Sequence, residues 1–196
     1  MFQLLPYSVG RLFRRIRPGL EKITYHDPFF INAPETIRLT SPAFRDGGRI
    51  PLQYTCDGKG ISPPLEWMGI PPKARSLVLI IEDADSPACE PRTHAVITGL
   101  PGMDDHIPSA AFRNLGARYL APDPPPGHGP HRYVFQIFAL DTLLHLLSEA
   151  PLKNAVKEAM RRDVVAKGCL MGIYERSRKN GRKPASPSRN PKRPDF

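Results

Sequence analysis

Twenty-four of the 196 residues are proline, and this sets the scale of what the chain can build. Proline has no amide proton and a fixed φ, so it breaks helix interiors and interrupts sheet ladders. Leu, Ile, Val and Phe nevertheless recur in blocks between the prolines. Blocks of that length suit short elements joined by stiff loops and do not suit a helical bundle. The length is enough for one domain with a substantial core. No apolar run approaches the roughly 18–20 residues of a membrane-spanning helix.

The strongest strand signals are Leu77-Val78-Leu79-Ile80-Ile81 and Tyr133-Val134-Phe135-Gln136-Ile137-Phe138-Ala139-Leu140. Both are short, apolar and rich in β-branched or aromatic residues, as in strands buried on both faces. His94-Ala95-Val96-Ile97-Thr98 reads as a further strand, ended by Gly99-Leu100-Pro101-Gly102. Ile37, Leu39 and Phe44 suit a half-buried strand, Asp46-Gly47-Gly48 a turn, and Ile50–Tyr54 an edge or bulged strand. Ser62–Trp67 is a stiff extended stretch whose tryptophan plugs the core. Ala121–Pro130 is a proline-rich loop of restricted mobility. Helical signal is confined to a late segment: Ser148 caps a helix entering at Pro151, Leu152, Val156, Ala159, Met160 and Val164 share a side, and Gly168 ends it. Leu170–Tyr174 is a closing strand. The expected fold is mainly β, an antiparallel β-sandwich with a C-terminal helix.

The net charge of +9 sits at the two ends. Residues 1–26 carry +4, residues 176–196 carry +7, and the span between carries −2. The high isoelectric point therefore says little about the folded body. Residues 1–34 read as a basic appendage with a short helix in which Leu12, Phe13, Ile16 and Leu20 share a side, packed on the body or a partner subunit or, alternatively, meeting a membrane or nucleic acid through its arginines. Residues 35–176 read as the sandwich, and 177–196 as a disordered basic tail too polar to offset its ordering entropy. Contact of that tail with nucleic acid or acidic lipid is a weaker alternative, since no aromatics interleave its charges. Cys56, Cys89 and Cys169 are an odd, widely spaced set, which fits reduced thiols in a cytoplasmic protein. Near the N-terminus the arginines follow the apolar residues, the reverse of a secretory signal.

The chemistry lies in Glu82-Asp83-Ala84-Asp85-Ser86-Pro87 and Gly127-His128-Gly129-Pro130-His131-Arg132-Tyr133. Each places ionisable groups where a strand meets a loop. Strand alternation puts Asp83 and Asp85 on one side, and His94 and His131 open the following strands. If those strand ends adjoin, acids and imidazoles converge. Three readings then stand: loop bracing by hydrogen bonds, a transition-metal site of two histidines and a carboxylate, or an anion pocket of imidazoles and loop amides. Gly127 and Gly129 favour the last, because they let backbone approach a guest closely. No Gly-x-Ser-x-Gly elbow supports a serine nucleophile. Cys89 reads as an ordinary loop cysteine, and the spacing of His128 and His131, in a loop, is not that of a helical metal motif.

These blocks, together with Ser41-Pro42-Ala43-Phe44, Asp46-Gly47-Gly48, Tyr54-Thr55-Cys56-Asp57-Gly58, Ser62–Trp67 and Gly172-Ile173-Tyr174-Glu175-Arg176, resemble the phosphatidylethanolamine-binding protein family, in its bacterial and archaeal Raf kinase inhibitor-like branch. The resemblance covers roughly residues 37–176. It implies a β-sandwich with a small anion pocket for phosphate-like head groups at one end, and no cofactor or metal. It implies ligand-binding roles for Asp83, Pro87, His94, Gly129, Pro130, His131 and Tyr133, with Asp85 and Arg132 as structural support of the pocket. Ala84 stands where the family motif has proline, Ser86 where it has alanine, and no tryptophan follows His94. Three functions follow as expectations. The first is binding of a small anion or phosphorylated ligand, with His94 and His131 donating, Asp83 orienting a histidine, and Gly129 and Pro130 shaping the rim. The second is regulation of a kinase or protease partner through that rim. The third is hydrolysis by the Asp83, His94 and His131 cluster. A homodimer is compatible with each.

Overall fold

In the computed structural model, residues 6–144 and 152–176 are described. Two sheets face each other. The smaller has the order β1 (Arg38–Thr40), β3 (Leu65–Met68), β6 (Asp105–Ile107) and is antiparallel throughout. The larger has the order β2 (Gly48–Arg49), β8 (Val164–Tyr174), β7 (His131–Leu140), β4 (Ser76–Asp83), β5 (Arg92–Pro101). Only the short β2–β8 pairing is parallel; the others are antiparallel. The fold is thus the mainly β sandwich expected from the sequence.

The apolar runs are long because the middle strands of the large sheet are covered on both faces. Alternation sends Leu77, Leu79 and Ile81 toward the small sheet, where they meet Leu39, Leu65, Trp67 and Ile107. It sends Val78 and Ile80 the other way, with Val134 and Phe138, onto Ile23, Tyr25, Phe30, Val156 and Met160. Each such side chain, fully buried, contributes roughly 1.5–3 kcal/mol. Trp67 also donates its indole N–H to the Met103 carbonyl at 3.0 Å. The second layer includes part of the segment read as an appendage: Ile23, Tyr25 and Phe30 are core residues. Buried Glu82 fastens that segment, accepting from the Thr24 amide at 2.7 Å, the Gln136 amide at 2.9 Å and the Lys153 ammonium at 2.7 Å. In contrast, Leu12, Phe13 and Ile16 form no inward apolar side; all three are exposed.

Several element boundaries differ from the sequence reading. Ile50–Tyr54 is not a strand. Pro51 holds φ −60° and ψ 146°, and Leu52–Tyr54 is a 3-10 turn closed by the Tyr54 amide on the Pro51 carbonyl at 3.0 Å. The strand read at His94–Thr98 does not stop at Thr98; β5 runs through Gly99 and Leu100 to Pro101, paired with β4. Helix α2 spans Lys153–Ala159 and ends well before Val164. Val156 and Met160 are buried, Leu152 and Ala159 are not, and Val164 and Gly168 belong to β8. Gly168 is no helix stop: a Cβ there would be driven into the Ile37 carbonyl, so the residue permits a close backbone crossing. Ser148, Pro151 and the tail from 177 lie outside the described residues. Arg176, counted with the tail by charge, is buried. Its guanidinium binds Asp57 at 2.9 Å, Asp123 at 2.6 Å and the Pro124 carbonyl at 3.1 Å, anchoring the proline-rich loop. No helix among the described residues is long and apolar enough to cross a membrane.

Candidate functional site

The ends of β4, β5 and β7 meet at one edge of the large sheet. Asp83 lies opposite Tyr133 in one register and opposite Arg92 in the other. His131, two residues before Tyr133, falls on the same face. Its Nδ1 lies 2.8 Å from Asp83 Oδ2. The rings of His131 and Tyr133 stack with centroids 6.3 Å apart, and His94 meets Tyr133 edge-on at 5.1 Å. Asp83, His94, His131 and Tyr133 are therefore one cluster, and all four are buried.

Asp85 is not in that cluster. Its amide donates to Asp83 Oδ1 at 2.9 Å, which turns the chain out of strand alternation. Its carboxylate accepts the Arg132 fork through Nε and Nη2, both at 2.7 Å, and the Arg132 amide at 2.9 Å. Burial alone would raise the Asp85 pKa, but the Arg132 bonds and the nearby Arg17 hold it below the ordinary carboxylate value. Asp85 and Arg132 thus tie β7 to the loop after β4. Pro87 is half-buried within that loop. Pro130 is exposed and borders a cleft of about 570 Å³ with Tyr7, Arg49, Ile173 and Arg176.

Two polar atoms of the cluster, His94 Nε2 and Tyr133 Oη, are buried with no hydrogen-bond partner. His94 Nδ1 lies 2.6 Å from the Leu120 carbonyl, which can only accept, so the proton is on Nδ1. Burial pushes the His94 pKa down, leaving the ring neutral and Nε2 with a lone pair. Burial, reinforced by Asp83, pushes the Tyr133 pKa far up, so the phenol keeps its proton. The outer side of His94 lines a hollow of about 130 Å³ with Thr93, Gly116, Arg118 and Leu120.

His128 and the N-terminal arm were not assigned to the site from sequence. His128 is buried, with Nδ1 2.7 Å from His131 Nε2 and Nε2 2.9 Å from the Phe13 carbonyl. Both nitrogens of His131 are therefore engaged, one by Asp83 and one by His128. Phe13 follows helix α1, Tyr7–Leu12. The arm lies against the proline-rich loop so closely that a Cβ on Gly10 would strike the Pro126 carbonyl. Arg17 closes the arm down: Nη1 donates to the Pro130 carbonyl and Nη2 to the His128 carbonyl, each at 2.7 Å, and Nη1 lies 3.2 Å from Asp85 Oδ1. Gly129 is buried beside it, and the Gly19 amide donates to the Ala84 carbonyl at 2.9 Å.

The run Asp83–His131–His128–Phe13 carbonyl contains three hydrogen bonds in series. Three bonds need three protons, and two neutral imidazoles carry two. The series is complete only with one further proton, which makes Asp83, His131 and His128 together neutral. Burial lowers the His128 pKa.

The fold is a β-sandwich with an acid, imidazoles and a phenol gathered at one edge of its larger sheet. The phosphatidylethanolamine-binding protein family model matches residues 40–175, and the chain belongs to that family. A "UPF0098 protein" of Methanothermobacter thermautotrophicus is 42% identical over 154 residues, spanning 71% of this chain and 99% of its own length. One of Aquifex aeolicus is 34% identical over 153 residues, spanning 71% of this chain and 89% of its own. The crystal structure of a phosphatidylethanolamine-binding protein homologue from Chlamydia trachomatis superposes with a TM-score of 0.66 at 34% identity, covering 73% of this chain and 99% of that one. E. coli YbcL, described as a member of the mammalian family, shares the fold at a TM-score of 0.67 and 22% identity, covering 72% and 99%.

Proposed function

We propose that this protein binds a small phosphate-like anion at Asp83, His94, His131 and Tyr133. The observation that carries this reading is the pair of unpartnered buried atoms, His94 Nε2 and Tyr133 Oη. Leaving a buried polar atom unpaired costs about 1–3 kcal/mol, so a guest that pairs both gains that much at each. The two atoms ask for different things. Tyr133 donates, which suits an anionic oxygen. Neutral His94 accepts at Nε2, which suits a hydroxyl. A singly protonated phosphate or phosphomonoester supplies both from one centre.

The pH dependence follows from the guest. A phosphomonoester loses its last proton near pH ~6, and with it the donor to His94. Affinity is highest below that pH and falls above it. Isothermal titration with a methyl phosphate monoester between pH 5 and 8 tests this, with inorganic phosphate as the control that keeps a hydroxyl across that range. A phosphate diester, as in a phospholipid head group, has no such hydroxyl and binds more weakly through Tyr133 alone. Affinity that rises with pH, or a diester binding as tightly as the monoester, would refute the assignment. Regulation of a kinase or protease would act through the rim made by the loop Ala121–Pro130, and a pull-down unchanged by His131→Ala would separate it from anion binding.

A further inference from the structure

We infer that His128 is an internal stopper in the ligand position of His131, and that the N-terminal arm, residues 7–19, is the latch that holds it there. The inference rests on the anion-pocket reading and adds the element that controls it. His131 was expected to donate to a guest. In the structure its Nδ1 is taken by Asp83, and its Nε2, the remaining ring nitrogen, is taken by His128 Nδ1 at 2.7 Å. A guest reaches that nitrogen only when the His128 ring leaves.

The ring is fixed from outside. The Phe13 carbonyl engages the far nitrogen of His128 at 2.9 Å, and Arg17 engages the His128 main-chain carbonyl at 2.7 Å. Arg17 also spans to the Pro130 carbonyl and to Asp85, and so links both loops at the mouth, the one after β4 and the one before β7. Of the arm's apolar side chains, Leu12, Phe13 and Ile16 are exposed, whereas Pro18 is buried. Among the described residues, hydrogen bonds at Phe13, Arg17 and Gly19 and the Arg17–Asp85 ion pair tie the arm down, each weak enough singly to open without unfolding the sandwich. Closed, the arm completes the proton series to His131. Open, it releases His128 and leaves His131 Nε2 free to meet a guest.

Such a latch lowers apparent affinity by the fraction of molecules that are open. The test compares the full chain with Arg17→Gln and His128→Ala, using inorganic phosphate as the probe and the imidazole nitrogen resonances of His94 and His131 as the readout. Arg17→Gln cuts the ion pair at a partly exposed side chain and leaves the core intact. His128→Ala removes the stopper, and its folding is checked by circular dichroism. Both variants are expected to bind phosphate about ten-fold or more tightly than the unmodified chain, and Arg17→Gln to be cleaved faster by trypsin at Arg14 and Arg15 without ligand. Equal affinity in all three proteins, with His131 responding in each, would overturn the latch and leave the pocket standing. No response of His94 or His131 in any of them at about ten-millimolar phosphate would overturn both, because His131 is then idle even when uncovered.

Discussion

Replacing Tyr133 by Phe separates the cost of an empty site from its use. The Tyr133 side chain is 1% exposed, its ring packs between His94 and His131, and its hydroxyl has no partner. Phenylalanine keeps the ring and the packing and removes only the oxygen. Burying that hydroxyl unpaired costs about 1–3 kcal/mol, so in phosphate-free buffer Tyr133→Phe is expected to be more stable than the parent. At about 2–4 °C per kcal/mol for a chain of this size, the melting temperature rises by at least 2 °C or so. Phosphate should reverse the order. The variant loses a hydrogen bond to a charged oxygen, about 1.5–3 kcal/mol, and binds phosphate roughly ten- to hundred-fold more weakly. Urea unfolding with and without phosphate measures both effects on the same samples. A variant less stable than the parent in phosphate-free buffer, or one stabilised by phosphate as strongly as the parent, would show that the hydroxyl is not waiting for a guest.

Other perturbations test the frame around the site. Arg132→Met strands the Asp85 carboxylate, which is 1% exposed, with only Arg17 nearby; the expected loss is roughly 2–3 kcal/mol, discounted from a fully buried pair because Arg132 is one-third exposed. The lowered pKa of Asp85 gives stability that is complete above the ordinary value of 3.8 and lost as pH falls through the folded value; Asp85→Asn should flatten that acid limb in melts taken between pH 2 and 5. The lowered pKa of His94 means the folded chain binds fewer protons there than the unfolded one, so its contribution is full above 6.5 and declines on acidification below that; imidazole NMR should show His94 titrating below the ordinary histidine range. Gly168→Ala drives a methyl into the Ile37 carbonyl and should cost about 1–3 kcal/mol by overpacking, read by urea unfolding.

What could be read from sequence was what two-sided burial writes into residue type. Leu77–Ile81 and Tyr133–Leu140 are apolar at consecutive positions because each face has its own core, and both are strands. Asp83, His94 and His131 could be grouped, together with Asp85, because they stand at strand ends, and the family pattern added Tyr133 along with Pro87, Gly129 and Pro130. Glycine misled at 168, where the need for room against Ile37 looks in sequence like a helix stop. Proline misled at 51, where a fixed φ serves a 3-10 turn as well as an edge strand. Asp85 left the alternation because a hydrogen bond to Asp83 bends the chain after one residue. His128 carried no signal of its role, since its partner at Phe13 lies 115 residues away and offers only a main-chain carbonyl. Contacts made to backbone atoms leave no residue-type signature, and Arg17 meets the loop through the His128 and Pro130 carbonyls.

The most direct measurement is a crystal structure grown near pH 6 in phosphate. Occupied density should place one phosphate oxygen at His94 Nε2 and another at Tyr133 Oη, with the His128 ring swung clear of His131. A lone water between those two atoms, with phosphate absent from the cluster and His128 still seated on His131, would contradict the account.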